Sequence, residues 1–156
     1  MDAPRDPDPA PDTSAAATPP AAAELGLEPH PEGGWYRRLW AAAEQVTTAR
    51  GRRAAATAVH YLLAPGEESR PHRVASDELW LWHGGGPLAL AHAPEPDGAR
   101  PVTTVLGAGR GLARTWWALV PAGHWQTARP AGPEPALVTC VVAPGFDWAD
   151  LTLLGE

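Results

Sequence analysis

The 156-residue chain contains no lysine, no asparagine and no isoleucine, and only one cysteine, one methionine and one phenylalanine. Without lysine there is no Schiff-base nucleophile and no phosphate-loop lysine. All 12 cationic side chains are arginine, set against 18 carboxylates, for a formal net charge of −6. That balance argues against a general nucleic-acid or anionic-membrane partner. A single cysteine excludes an internal disulfide. Cys140 lies in the apolar run Leu137–Val142 and is expected to be a buried thiol in a strand. The longest apolar runs, such as Ala136–Ala143, reach about eight residues, too short to cross a bilayer. The N-terminus is acidic and proline-rich, unlike a secretory signal, so a cytoplasmic location is expected.

What is abundant is Ala (31), Pro (19) and Gly (16), with eight tryptophans. Residues 1–23 hold six Pro, eight Ala, four Asp and no aromatic residue, a composition that cannot offset the entropy of ordering. A disordered tail over 1–23 and one domain over 24–156 are expected. The domain reads as short apolar runs bounded by Pro and Gly: Ala54–Leu63, Glu78–His83, Pro87–Ala93, Pro101–Leu106, Thr115–Val120 and Ala136–Ala143. Such spacing predicts an all-β sandwich or barrel. Helix is expected only in minor pieces: Leu25–Leu27, Leu39–Gln45 and the C-terminus.

In Glu78–Trp82 both strand faces are bulky, with Glu78, Trp80 and Trp82 on one and Leu79 and Leu81 on the other. A strand covered on both sides is implied. A carboxylate between tryptophans on such a wall needs a partner. The densest polar stretch, Pro65–Glu78, precedes it. Gly66, His72, Glu78 and Gly85 follow the spacing of the first cupin motif, with Val74 at its second His position. Thr115, Pro121, Gly123, Gln126 and Pro130 follow the second, with Gln126 at its His position and Pro130 at its Asn position. Pro29–Arg37, Thr57–Leu63, His72–Trp80, Val120–Gln126 and Val142–Asp150 then resemble, in order, the signatures of the cupin_5 type over roughly residues 25–154. His60, Leu81 and His124 depart from that pattern.

The resemblance implies a double-stranded β-helix, or jelly-roll, cupin barrel. Members of this type are described by analogy with sugar-nucleotide epimerases. It also implies His72 and Glu78 on consecutive antiparallel strands joined by a tight turn, facing one pocket, with Gln126 arriving from the opposite strand. His72, Glu78 and Gln126 are what is left of a metal-ligand set, so a divalent metal is a possible but not a required cofactor. His60 or His124 would have to supply the missing nitrogen. Without a metal, a His polarised by Glu78 or Asp77 in a dry aromatic pocket suits acid–base chemistry. His72 and Glu78 are therefore the candidate catalytic residues, and Glu32, Trp35, Arg37, Tyr61, Ser69, Trp80, Trp125 and Gln126 the candidate substrate-binding ones. The expected activity is an isomerase, epimerase or lyase step on a small polar or ring-bearing metabolite. A non-catalytic ligand-binding cupin and a metal-dependent oxygenase are the alternatives. Strand edges and the two-faced Trp–Leu strand predict a homodimer.

Overall fold

In the computed structural model the described residues are 17–97, 100–109 and 114–156. A short helix α1 (Pro20–Glu24) is followed by β1 (Glu28–Pro29), β2 (Trp35–Ala41), β3 (Gln45–Thr48), β4 (Gly51–Ala54), β5 (Thr57–Leu63), β6 (Ser69–Val74) and β7 (Asp77–Gly85). The chain continues through β8 (Leu88–Ala93), β9 (Val102–Leu106), β10 (Arg114–Thr115), β11 (Trp117–Val120), β12 (Trp125–Pro130) and β13 (Ala136–Ala143). It ends in a 3-10 turn (Trp148–Asp150) and β14 (Leu151–Leu153). Strands alternate between two facing six-stranded sheets, ordered β1-β2-β5-β13-β7-β11 and β10-β9-β8-β12-β6-β14; β3 and β4 form a separate hairpin. This is the expected jelly-roll, antiparallel except where β10 lies parallel to β9.

The alternation of side chains along a strand builds the core. Trp80 on β7, Tyr61 and Leu63 on β5, Val138 and Cys140 on β13, and Leu88 and Leu90 on β8 meet between the sheets. The opposite face of the first sheet buries Leu62 and Trp35 under Ala22 and Leu27. That contact corrects the expected tail boundary. Pro20–Glu24 is helical, and Ala22 is wholly buried against the sheet; residues 1–16 lie outside the described residues. Leu39–Gln45 is not helical either. It spans the end of β2 and the start of β3, where pairing with β5 and β4 overrides a local propensity that is weak at this length.

Candidate functional site

The cavity between the sheets is lined by alternate residues of four strands in the first sheet: Tyr36 and Arg38 on β2, Thr57, Val59 and Tyr61 on β5, Glu78 on β7, and Cys140 and Val142 on β13. His72 and Val74 of β6 face them from the second sheet. His30, Glu32, Phe146 and Trp148 complete the lining of a narrow cavity of about 50 Å³.

The turn before β2 places Glu32. The His30 amide donates to the Gly34 carbonyl, and the Gly33 amide donates to that of His30. Gly33 has φ +103°, and a Cβ there would sit 2.4 Å from the Glu68 carbonyl oxygen. Only glycine fits so close an approach. The Tyr61 hydroxyl donates to the Gly33 carbonyl at 2.6 Å, and the Arg70 amide donates to that of Glu32 at 2.6 Å. The Glu32 side chain is thereby driven into the cavity wall, 7% exposed.

There it meets His72, with Glu32 Oε2 3.1 Å from His72 Nε2. The Arg70 carbonyl lies 2.8 Å from His72 Nδ1 and can only accept, so Nδ1 carries the proton. Nε2 is therefore the unprotonated nitrogen of the neutral ring, and it faces Glu32 Oε2. Ser69 bridges the pair, 3.4 Å from Glu32 Oε1 and 3.3 Å from His72 Nδ1. Burial raises the Glu32 carboxyl to about 8, against the opposing hydrogen bonds of Ser69 and Tyr61. Burial also lowers His72, although the Glu78 charge and the Arg70 carbonyl pull the other way. At neutral pH the proton belongs to Glu32, and His72 Nε2 accepts it.

Glu78 sits on the facing sheet. Its carboxyl is raised by burial, an effect that His72 and the Gln126 hydrogen bond oppose and Glu32 reinforces. Gln126 Nε2 donates to Glu78 Oε2 at 2.6 Å, and Trp80 Nε1 donates to Gln126 Oε1 at 3.1 Å. The indole fixes the orientation of the amide, the amide keeps Oε2 an acceptor, and Oε1 is the oxygen open to a proton. Cys140 is likewise raised, by burial first and by Glu78 and Glu32 next, so it lines the wall as a thiol.

Several expectations change. His72 and Glu78 both line the cavity, but β6 and β7 are not paired neighbours; they belong to opposite sheets. The carboxylate bonded to His72 is Glu32, not Glu78 or Asp77. Asp77 instead accepts from the Ala122 amide. Tyr61 lines the cavity as expected, and Ser69 supports it. Trp80 and Gln126 stand behind Glu78. Trp125 is on the other side of β12, under the Arg73 guanidinium, because adjacent strand residues point to opposite faces. The same one-residue parity separates Trp35 and Arg37 from the lining residues Tyr36 and Arg38. Trp35 faces α1 and donates its indole proton to Glu67. His30, Tyr36, Arg38, Phe146 and Trp148 were not singled out from the sequence as site residues, although all but Arg38 lie inside motifs it shares with the cupin_5 type.

The donor set does not fit a metal. Val74 offers no ligand, both ends of the Gln126 amide are occupied, and the Glu32 carboxyl already engages His72. Among the described residues no three His, Cys, Asp or Glu side chains are arranged to hold a metal ion. His124 is bonded to His92 at 3.0 Å, and neither it nor His60 lines the cavity.

The family described as "Cupin superfamily (DUF985)" matches residues 21–154. No curated protein matches the sequence. A hypothetical protein from Leishmania major is 31% identical, with a TM-score of 0.76 over 83% of this chain and 82% of its own. A protein from Shewanella oneidensis is 30% identical, with a TM-score of 0.77 over 86% of this chain and 82% of its own. An oxalate decarboxylase variant from Bacillus subtilis shares the fold at 16% identity, with a TM-score of 0.58 over 81% of this chain but 29% of its own.

Proposed function

Since the chain belongs to the DUF985 family of the cupin superfamily, a fold that hosts many reactions, we propose its activity from the cavity alone: proton transfer next to a carbonyl in a small metabolite, as an isomerase, an epimerase or a related lyase. The observation that carries this reading is the 3.1 Å approach of Glu32 Oε2 to His72 Nε2, across from a second buried carboxyl whose proton affinity burial raises.

In its ionised form the Glu32–His72 pair is the base. It takes a proton from carbon and holds it between Oε2 and Nε2. The electron pair left behind moves toward the substrate carbonyl, whose oxygen takes the proton on Glu78 Oε1. Return of a proton to carbon from the acid form of the pair, with Glu78 recovering its own, completes an isomerisation. Two groups with opposite roles at one pH are what such a step needs. Gln126, reached by Trp80, is a positioning residue. It keeps the Glu78 proton on the oxygen that faces the cavity. Burial excludes water, which would otherwise compete for the intermediate.

The test is exchange of an enolisable α-proton for deuterium, followed by NMR. Turnover should rise with pH through about 8 as Glu32 ionises. The His72→Asn and Glu32→Gln variants should lose about 100-fold or more in rate with their circular dichroism unchanged. Ligand binding without any exchange would retire the enzymatic reading in favour of a binding protein.

A further inference from the structure

Trp148 is 49% exposed although it stands at the cavity mouth among aromatic neighbours. Its ring centroid lies 5.5 Å from that of His30, 5.1 Å from Phe146 and 6.1 Å from Tyr36; the last two contacts are edge-on. His30 in turn meets Tyr36 edge-on at 4.7 Å. The four rings form a collar around the entrance, built by two segments far apart in sequence. Asp147 sets Trp148 in place by accepting from the Ala149 amide at 2.8 Å. Burial, with His72 second, lowers His30 to about 4, so at neutral pH the collar is an uncharged aromatic surface. Trp148 does not close the core; half of its indole is left for something else to cover.

Arg38 lines the same cavity and is the one cationic side chain among the lining residues. It makes no ion pair among the described residues. Glu28, near the start of the same sheet, is engaged by the Tyr36 hydroxyl. The interior beyond the collar is narrow, about 50 Å³, and already lined by two carboxyls, an imidazole and a thiol, so it admits a carbonyl or hydroxyl end and not a ring.

We propose that the collar is a stacking subsite and that Arg38 beside it takes an anion, so that the substrate class is a planar aromatic or heteroaromatic ring carrying a carboxylate or phosphate. This rests on the acid–base reading for what happens inside the cavity, but not for what binds at its mouth. An indole face attracts any flat π-system, in sandwich-offset or edge-on geometry. A guanidinium fork pairs with carboxylate and phosphate oxygens in two parallel hydrogen bonds. A quaternary ammonium, the other common occupant of an aromatic collar, is disfavoured by Arg38.

The experiment is calorimetric titration of the full chain with three probes: phenylpyruvate, its saturated-ring counterpart cyclohexylpyruvate, and adenosine 5′-monophosphate. Phenylpyruvate or the nucleotide, depending on which anion is taken, should bind, and phenylpyruvate should bind about 3- to 10-fold more tightly than the saturated analogue. Trp148→Leu should erase that preference and Trp148→Phe should keep it. Arg38→Ala should weaken every probe that binds by about tenfold or more. Equal affinity for the aromatic and saturated rings, an unchanged preference in Trp148→Leu, or no binding of either ring-bearing anion would each overturn the proposal. Binding is read without turnover. A protein that stacks these rings yet exchanges no proton would retire the acid–base reading and leave the collar standing.

Discussion

Replacing Glu32 by glutamine tests whether this side chain is a buried acid. The carboxyl titrates at about 8 in the folded protein and at the ordinary 4.5 when free. Between those values the folded state keeps a proton that the unfolded state has lost. Stability therefore falls as pH rises across that window. It is full below about 4.5, where both states are protonated, and the penalty is complete above about 8, where both are ionised. The shift of about 3.5 units, at about 1.4 kcal/mol per unit, amounts to about 5 kcal/mol, and relaxation of a cavity open to water brings the expected figure to about 2–5 kcal/mol. Glutamine cannot ionise, yet its amide can still donate to His72 Nε2 and accept from Ser69. Urea denaturation at pH 5, 7 and 9 should give near-equal midpoints at pH 5 and a Glu32→Gln variant that is progressively more stable above it. His72 carries the opposite dependence, losing stability as pH falls below its ordinary 6.5, so the effect of Glu32 is read from the change between pH 7 and 9, above that range. Two curves that run parallel from pH 5 to 9, or a variant less stable at pH 9, would refute the protonated-acid assignment.

Gly33→Ala should displace the turn that holds Glu32, since the added methyl meets the Glu68 carbonyl at 2.4 Å. The expected loss is about 1–3 kcal/mol in denaturant titration, together with a fall in any proton exchange. Asp150 is clamped by Arg53 at 2.8 Å and Arg50 at 3.0 Å, and its carboxyl is lowered from 3.8, chiefly by the Arg53 hydrogen bond. Its stabilisation is present above pH 3.8 and lost as pH falls through the lowered value. Asp150→Asn should thus lower the thermal midpoint at pH 7, and the gap from the parent protein should narrow in acid; a gap that widens in acid would contradict the clamp. A homodimer remains our expectation from the two-faced Trp–Leu strand, and Trp117 and Leu119 on the neighbouring strand are exposed at 56% and 46%. Sedimentation that gives a monomer at micromolar concentration would refute it.

The strands were legible in the sequence because Pro and Gly punctuate them and because a buried wall forces both faces of Glu78–Trp82 to be bulky. Glu78 was legible too, as a carboxylate placed where burial is costly. His72 followed from the motif spacing. The carboxylate that partners His72 was not legible. Glu32 lies 40 positions before it, and the contact depends on a glycine turn whose register no local pattern reveals. The remaining errors share one cause. Trp35, Arg37 and Trp125 each sit next to a residue of the cavity wall or its supports, and a strand read one residue out of register exchanges its two faces completely. Trp148 was missed because it belongs to an irregular segment after β13, where no periodicity indicates which side a residue faces.

The ligand-position substitutions and the protonated acids are connected. A motif with three imidazoles and a carboxylate suits a divalent cation, whose charge would hold Glu78 ionised and His72 neutral. Here Val74 gives no nitrogen, and Gln126 gives an amide that donates to Glu78 instead of sharing a cation with it. The carboxylate at 78 then lies in an apolar wall with no cation to compensate it, and burial raises its affinity for a proton. Glu32, brought in by the Gly33–Gly34 turn, adds a second carboxyl to the same wall, and its charge raises the affinity of Glu78 for a proton. The replacements thus convert a site suited to Lewis-acid chemistry into one whose working groups are bound protons. The pH at which the protein acts should follow the titration of Glu32, and Gln126→Leu, which removes the amide proton from Glu78 Oε2 and so raises that carboxyl further, should lower the exchange rate while leaving the limb near pH 8 in place. Movement of that limb in the variant would mean that the two carboxyls titrate as one unit, and the assignment of separate acid and base roles would fall.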